Sequence, residues 1–289
     1  MNLYYEYAGW LYTKLYQNDF FFIDLWSIVH CWSGFVIFLG LKSLKAKKPL
    51  WTLLTLLFIY GVLEILFTDF TLDIISPEII KDQFTDIIVG MIGGTIGFLI
   101  VQFGSLNNDK HLKSLNLFII FLASVTYAYV WVGFYRYQYN NDLFNTPGIN
   151  IGGFIFWTMG AFATIFGFTL IKIRKFWLKI SVSWVIYIVV LFIVEYFGFV
   201  IMGWHESSKE NATPLLFDLI HGTKTLHIVY ILSPFFTISI YLGLKKLFLK
   251  ALKTKEGHYN IQRFKERKKE GFRRLAFYRK IDFYSKGPF

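Results

Sequence analysis

The chain has 289 residues, of which 55% are hydrophobic and 21% aromatic, and a formal net charge of +11 at pH 7. A mean hydropathy of +0.47 excludes a soluble domain of this length. The class implied is all-α: a polytopic bundle of transmembrane helices.

Residues 1–19 (MNLYYEYAGWLYTKLYQND) interleave Tyr and Trp with polar groups, the pattern of a helix at the outer membrane interface or of an aromatic belt before the first span. They carry no cationic n-region and no small-residue cleavage site, so they do not read as a cleaved signal peptide. A spanning helix needs about 20 mainly apolar residues. Seven such runs follow, at 20–41, 50–70, 84–104, 115–135, 150–172, 177–203 and 223–244. Asp218, His221, Lys224 and His227 crowd the start of the last run and push its entry point later. The organisation expected is an interfacial segment (1–19), a three-helix unit (20–104), a four-helix unit (115–244) and a basic tail (245–289).

Direction follows from the cations, because short loops rich in Lys and Arg stay in the cytoplasm. Lys42, Lys45, Lys47 and Lys48 follow the first span, Lys110 and Lys113 the third, and Lys172, Arg174, Lys175 and Lys179 the fifth. The other loops hold only Lys81, Arg136, Lys209 and Lys224, among acids. This places the N-terminus outside and the tail in the cytoplasm, in what reads as a prokaryotic plasma membrane. The tail holds 15 Lys and Arg against four acids, interleaved with aromatics such as Phe248, Tyr259 and Phe264. Such a segment suits an anionic inner leaflet, at about 1 kcal/mol per cation near the surface. Nucleic acid or an acidic protein would meet the same charge, but headgroup contact and topology fixing are the simpler reading.

Counting about 1.5 Å per residue from the outer boundary gives the depth of each ionisable group. Asp24 and Asp86 lie just inside that boundary, Glu64 about 9 Å below Phe70, and Glu195 about 12 Å below Gly203. His30 is the deepest. No acid falls in the cytoplasmic half of any span. Each buried charge costs at least about 2.5–3.5 kcal/mol on insertion scales, so such groups pair or face a wet interior. One outward-facing polar cavity shared by all five is the economical expectation.

Asp82, Asp86, Gly90, Gly93 and Gly97 follow one helix face of the third span in steps of four, four, three and four. The glycines suit close approach to the first span, where Gly34 offers a second small contact. The two aspartates suit either a ligand site or the cap and dipole of the helix start. Cys31 is the single cysteine, so no intramolecular disulfide can form.

The stretches DLWSIVHCWSGF (24–35), GVLEILF around Glu64, and SPEIIKDQFTDIIVGMIGGTIGF (76–98) together resemble the VanZ-like group of small bacterial and archaeal membrane proteins. The matching positions are Asp24, His30, Gly34, Glu64, Asp82, Asp86, Gly90, Gly93 and Gly97. Asp82 departs from the Asn common there. The resemblance covers residues 20–104 and implies a cell-envelope setting, with little said about chemistry.

A second polar collection comprises Glu195, His205, Glu206, Glu210, Asp218, His221 and His227. His205, Asp218 and His221 are the candidates for a divalent metal, although no HExxH spacing supports one, and water-exposed loop residues are the plainer reading. Asn211-Ala-Thr forms a sequon. Three function classes remain. The first binds or processes a cell-envelope lipid or lipid-linked substrate, with His30, Glu64 and Asp86 at the reacting centre and Asp24, Asp82 and Glu195 contacting substrate. The second is a proton-coupled transporter, opposed by the lack of inner-half polar groups and of an inverted repeat. The third is an assembly subunit whose glycine face serves a protein partner or a second copy.

Overall fold

The computed structural model describes residues 9–18, 20–72, 77–104, 109–137, 148–203 and 224–285. After a 3-10 turn at Gly9–Tyr12 come two short strands, β1 (Lys14–Gln17) and β2 (Phe22–Asp24). Among the described residues seven α-helices follow: α1 (Leu25–Ser43), α2 (Pro49–Leu72), α3 (Pro77–Phe103), α4 (Asp109–Tyr135), α5 (Ile151–Leu170), α6 (Phe176–Glu195) and α7 (Lys224–Ser285). All seven contain a stretch long and apolar enough to cross a membrane, so this is a multi-pass membrane protein.

The start of the chain departs from the all-α expectation. The described part of the interfacial aromatic segment is a 3-10 turn and the first strand of a hairpin, with Lys14 opposite Asp24 and Gln17 opposite Phe22 in antiparallel register. The physical reason is Asn18, whose side-chain carbonyl accepts from the N–H groups of Phe20 and Phe21 at 2.9 and 2.6 Å and closes the turn. A hydropathy window cannot detect this, because Phe20, Phe21 and Phe22 read as membrane. The first span therefore begins at Leu25 and not at residue 20.

Helix starts follow local chemistry. Asp24 is the N-cap of α1; its carboxylate accepts from the Ser27 N–H at 2.9 Å, and the Ser27 hydroxyl reaches back to the Asp24 N–H. Pro77 opens α3 without losing an intrahelical bond. Asp82 and Asp86 are therefore in the helix interior, and neither caps it. Asn150 caps α5 through the Gly153 N–H at 2.7 Å. A π-helical turn, Tyr196–Ile201, extends α6. The described part of α7 starts at Lys224. This helix runs on through 62 residues, about 93 Å at the standard rise.

The closest packing is between α1 and α3. A Cβ on Gly34 would overlap the carbonyl of Gly90, one on Gly93 would overlap the carbonyl of Cys31, and Gly97 lies under Phe35 and Phe38. Backbone meets backbone along this seam because no side chain intervenes. One apolar core, including Phe38, Leu39, Leu53, Ile120, Ile165, Ile238 and Phe248, runs through α1 to α7 and joins both halves of the chain. Only Ile180, Ser183 and Leu191 are buried on α6, which therefore stands at the edge of the bundle.

Charge separates along the bundle axis. At one end lie Asp24, Glu64, Asp82 and Asp86, on or near the two helices, α1 and α3, that the hairpin touches, and Glu195 at the end of α6. At the other end Lys255 donates to the carbonyls of Gln102 and Gly104 at 2.6 and 2.9 Å, Lys245 donates to Tyr241 at 2.9 Å, and Lys179 lies over Phe168.

Candidate functional site

The capping geometry of α1 carries Asp24 to the helix mouth and, about a turn and a half below, His30 to the side facing α3. On α3 the four-residue step from Asp86 to Gly90 repeats the four-residue step from His30 to Gly34. The Gly34–Gly90 contact thus sits one turn beneath the His30–Asp86 pair and sets its separation. His30 Nε2 lies 3.1 Å from Asp86 Oδ2, within ion-pair distance but off the line of a hydrogen bond. The His30 ring is framed by Trp26, edge-on at 5.6 Å, and by Tyr60 at 6.1 Å.

Around this pair stand the other carboxylates of the first three helices. Glu64 accepts from Gln83 Nε2 at 3.0 Å, tying α2 to α3. Thr85 receives the Phe22 N–H at 3.2 Å and ties α3 to β2. Asp24, His30 and Asp86 are only 1%, 7% and 4% exposed, whereas Glu64 and Asp82 are half-buried. Among the described residues no donor reaches Asp24 Oδ2, Asp82 Oδ1 or either carboxylate oxygen of Asp86. A buried polar atom left this way costs about 1–3 kcal/mol, and more when charged. The cluster is rich in acceptors and short of donors, which suits an ammonium, a hydroxyl-bearing group or a shared proton, and disfavours a phosphate.

The single cavity expected for all five groups is not what forms. Glu195 is at the same end of the bundle but on α6, whose packing partners are α5 and α7. Its carboxylate accepts from the Tyr230 hydroxyl at 2.5 Å. The pair opens on a cavity of about 550 Å³ between α5, α6 and α7, with Tyr127 and Trp157 also in its wall. None of Asp24, His30, Glu64, Asp82 or Asp86 lines it. Equal depth along parallel helices is not proximity, since Glu195 is in the half of the bundle built by the later helices.

The sequence reading missed Ser27, Gln83, Thr85 and the aromatic lining of this cavity. Gln83 and Ser27 carry a signal in principle, each being an amide or hydroxyl one turn from a singled-out acid. Tyr137 has no such signal: its hydroxyl accepts from the indoles of Trp131 and Trp157 at 3.0 and 2.8 Å, a meeting that only the tertiary fold creates. His205, Asp218, His221 and Asn211 lie outside the described residues. Among the described residues no group of three or more His, Cys, Asp or Glu is arranged to hold a metal ion.

No family model, curated protein or solved structure matches the chain.

Proposed function

We propose that this protein receives the donor-rich headgroup of a cell-envelope lipid or lipid-linked substrate at the α1–α3 cluster. Hydroxyls or an amine of that headgroup fill the acceptor positions of Asp24, Asp82 and Asp86, Glu64 stands at the rim, and His30 with Asp86 exchanges a proton with it. The observation that carries this reading is the set of buried carboxylate oxygens of Asp24, Asp82 and Asp86 that receive no hydrogen bond among the described residues. In this reading the cluster opens to the outer leaflet, the cytoplasmic side is the Lys-rich one, and the tail contacts anionic headgroups there. The VanZ-like resemblance of residues 20–104 adds a cell-envelope setting.

A second reading, an assembly subunit, draws on two contacts: His30 faces Asp86, and Glu64 is held by Gln83. It leaves unexplained why so many buried acceptors are unmatched, at a cost of several kcal/mol in sum.

Native mass spectrometry of gently purified full-length chain separates the two. The wild type is expected to carry a lipid with a hydroxyl- or amine-bearing head, at least about tenfold depleted in both Asp86→Asn and His30→Ala. The same number of bound lipids in wild type and in both variants, or a wild type that is empty yet oligomeric, would overturn the headgroup reading in favour of the assembly subunit.

A further inference from the structure

The large cavity between α5, α6 and α7 has opposite chemistry at its two ends. At the Glu195 end the polar groups are acceptors or spent donors: the carboxylate, the Tyr230 hydroxyl bound to it, and Tyr127 paired with Ser233 at 2.5 Å. Its middle is a low wall. On α5, Gly160 and Gly167 are two turns apart with Ala163 and Thr164 between them, and a Cβ placed on either glycine meets nothing within 4 Å. The hydroxyls of Thr164 and Ser183 are satisfied inside their own helices, by Gly160 and Lys179 carbonyls, so this stretch presents an apolar face.

Beyond Phe168, which lines both, lies a second pocket of about 340 Å³. Arg174 from the α5–α6 turn, Lys179 of α6 and Lys245 of α7 line it together with Tyr241, and among the described residues no acid lines the pocket. Lys179 lies 4.3 Å over the Phe168 ring, and Lys245 donates to Tyr241 at 2.9 Å. Three cations drawn together from three segments repel one another unless an anion lies between them. A guanidinium and two ammonium groups are the donors that phosphate takes.

We infer that α5, α6 and α7 form a binding site for a phosphate-bearing membrane lipid, its head held by Arg174, Lys179 and Lys245 and one chain lying along Gly167, Ala163 and Gly160 toward Glu195. The charge asymmetry fixes the direction, because Glu195 would repel a phosphate at its own end. This site is separate from the α1–α3 cluster, selects the opposite headgroup charge and lies at the opposite end of the bundle.

The test uses the full-length chain in a neutral detergent, with phosphatidylglycerol, diacylglycerol and inorganic phosphate as probes, read by native mass spectrometry. Wild type is expected to hold one phosphatidylglycerol at least about tenfold more tightly than diacylglycerol. Arg174→Gln combined with Lys179→Gln is expected to abolish that preference, whereas Gly167→Phe, which fills open space, is expected to weaken both lipids by occluding the chain. Equal binding of the two lipids by wild type, or unchanged phosphatidylglycerol binding in both variants, would overturn the inference. Displacement of the lipid by millimolar inorganic phosphate with no effect of Gly167→Phe would assign the cations to free phosphate and would equally overturn it.

Discussion

Replacing Gly34 by alanine inserts one methyl group where α1 and α3 touch through their backbones. The added Cβ would overlap the Gly90 carbonyl oxygen, the nearest atom, and stand 2.7 Å from its carbon, which alone is about 0.7 Å short of the 3.4 Å at which ordinary contact begins, so 0.7 Å is a lower bound on the parting required. The obstruction is backbone, so no rotamer change relieves it and the helices must part. Adding at least 0.7 Å to the 3.1 Å His30–Asp86 separation brings the pair to about 3.8 Å or more, close to or beyond the 4 Å limit of an ion pair. Overpacking of this kind costs about 1–3 kcal/mol, against which alanine's better helix propensity returns about 0.5–1 kcal/mol. The net loss expected is about 1–2 kcal/mol, read from reversible unfolding of the full chain in mixed micelles titrated with SDS. Gly40→Ala on the same helix is the matched control, because its Cβ meets nothing within 4 Å. It should stabilise by about 0.5–1 kcal/mol through propensity alone. Shifts of the same sign in the two variants, or a Gly34→Ala protein as stable as wild type, would refute the account of the α1–α3 seam.

Three further outcomes are expected. Asp24→Ala should lose about 1 kcal/mol of stability with the α1 cap, while Asp24→Asn, which keeps a capping acceptor, should stay within a few tenths; equal losses in the SDS titration would show that charge and not capping matters there. Tyr137→Phe removes the acceptor shared by Trp131 and Trp157 and should cost about 2–4 kcal/mol for two orphaned indole donors, with a change in tryptophan emission; an unchanged spectrum and midpoint would count against that network. Gly133→Ala drives a methyl into the Trp10 ring and should free the N-terminal segment, seen as faster proteolysis before Leu25; unchanged cleavage would show that Trp10 does not anchor it.

The spans were legible because each is a run of about 20 apolar residues, and the lipid-facing residues of α2 and α6 repeat that signal without interruption. The α1–α3 seam was legible in the steps between Gly90, Gly93 and Gly97, since small residues on one face have few other uses in a membrane helix. The hairpin was not, because its strands share the aromatic and aliphatic residues of the span they precede, and only the Asn18 side chain distinguishes turn from helix. The separation of Glu195 from the other acids was not legible either. Depth along the membrane normal is set by counting residues, but lateral position is set by which helices pack together, and α6 packs on α5 and α7. The opposed cations of Arg174, Lys179 and Lys245 were visible in sequence only as topology signals, and their convergence requires the fold.

The last helix is a single rod clamped near its middle: Ser43 donates to the Leu247 carbonyl at 3.2 Å, and Lys255 grips the end of α3. Pro234 lies well to one side of that clamp and the basic tail to the other. At Pro234 a ring takes the place of a backbone donor, and nearby the Trp184 indole supplies one to the Ile231 carbonyl at 2.8 Å. The clamp, the proline and Tyr230, which holds the Glu195 carboxylate, thus belong to one continuous helix, and the point at which that helix can bend lies between the clamp and Tyr230.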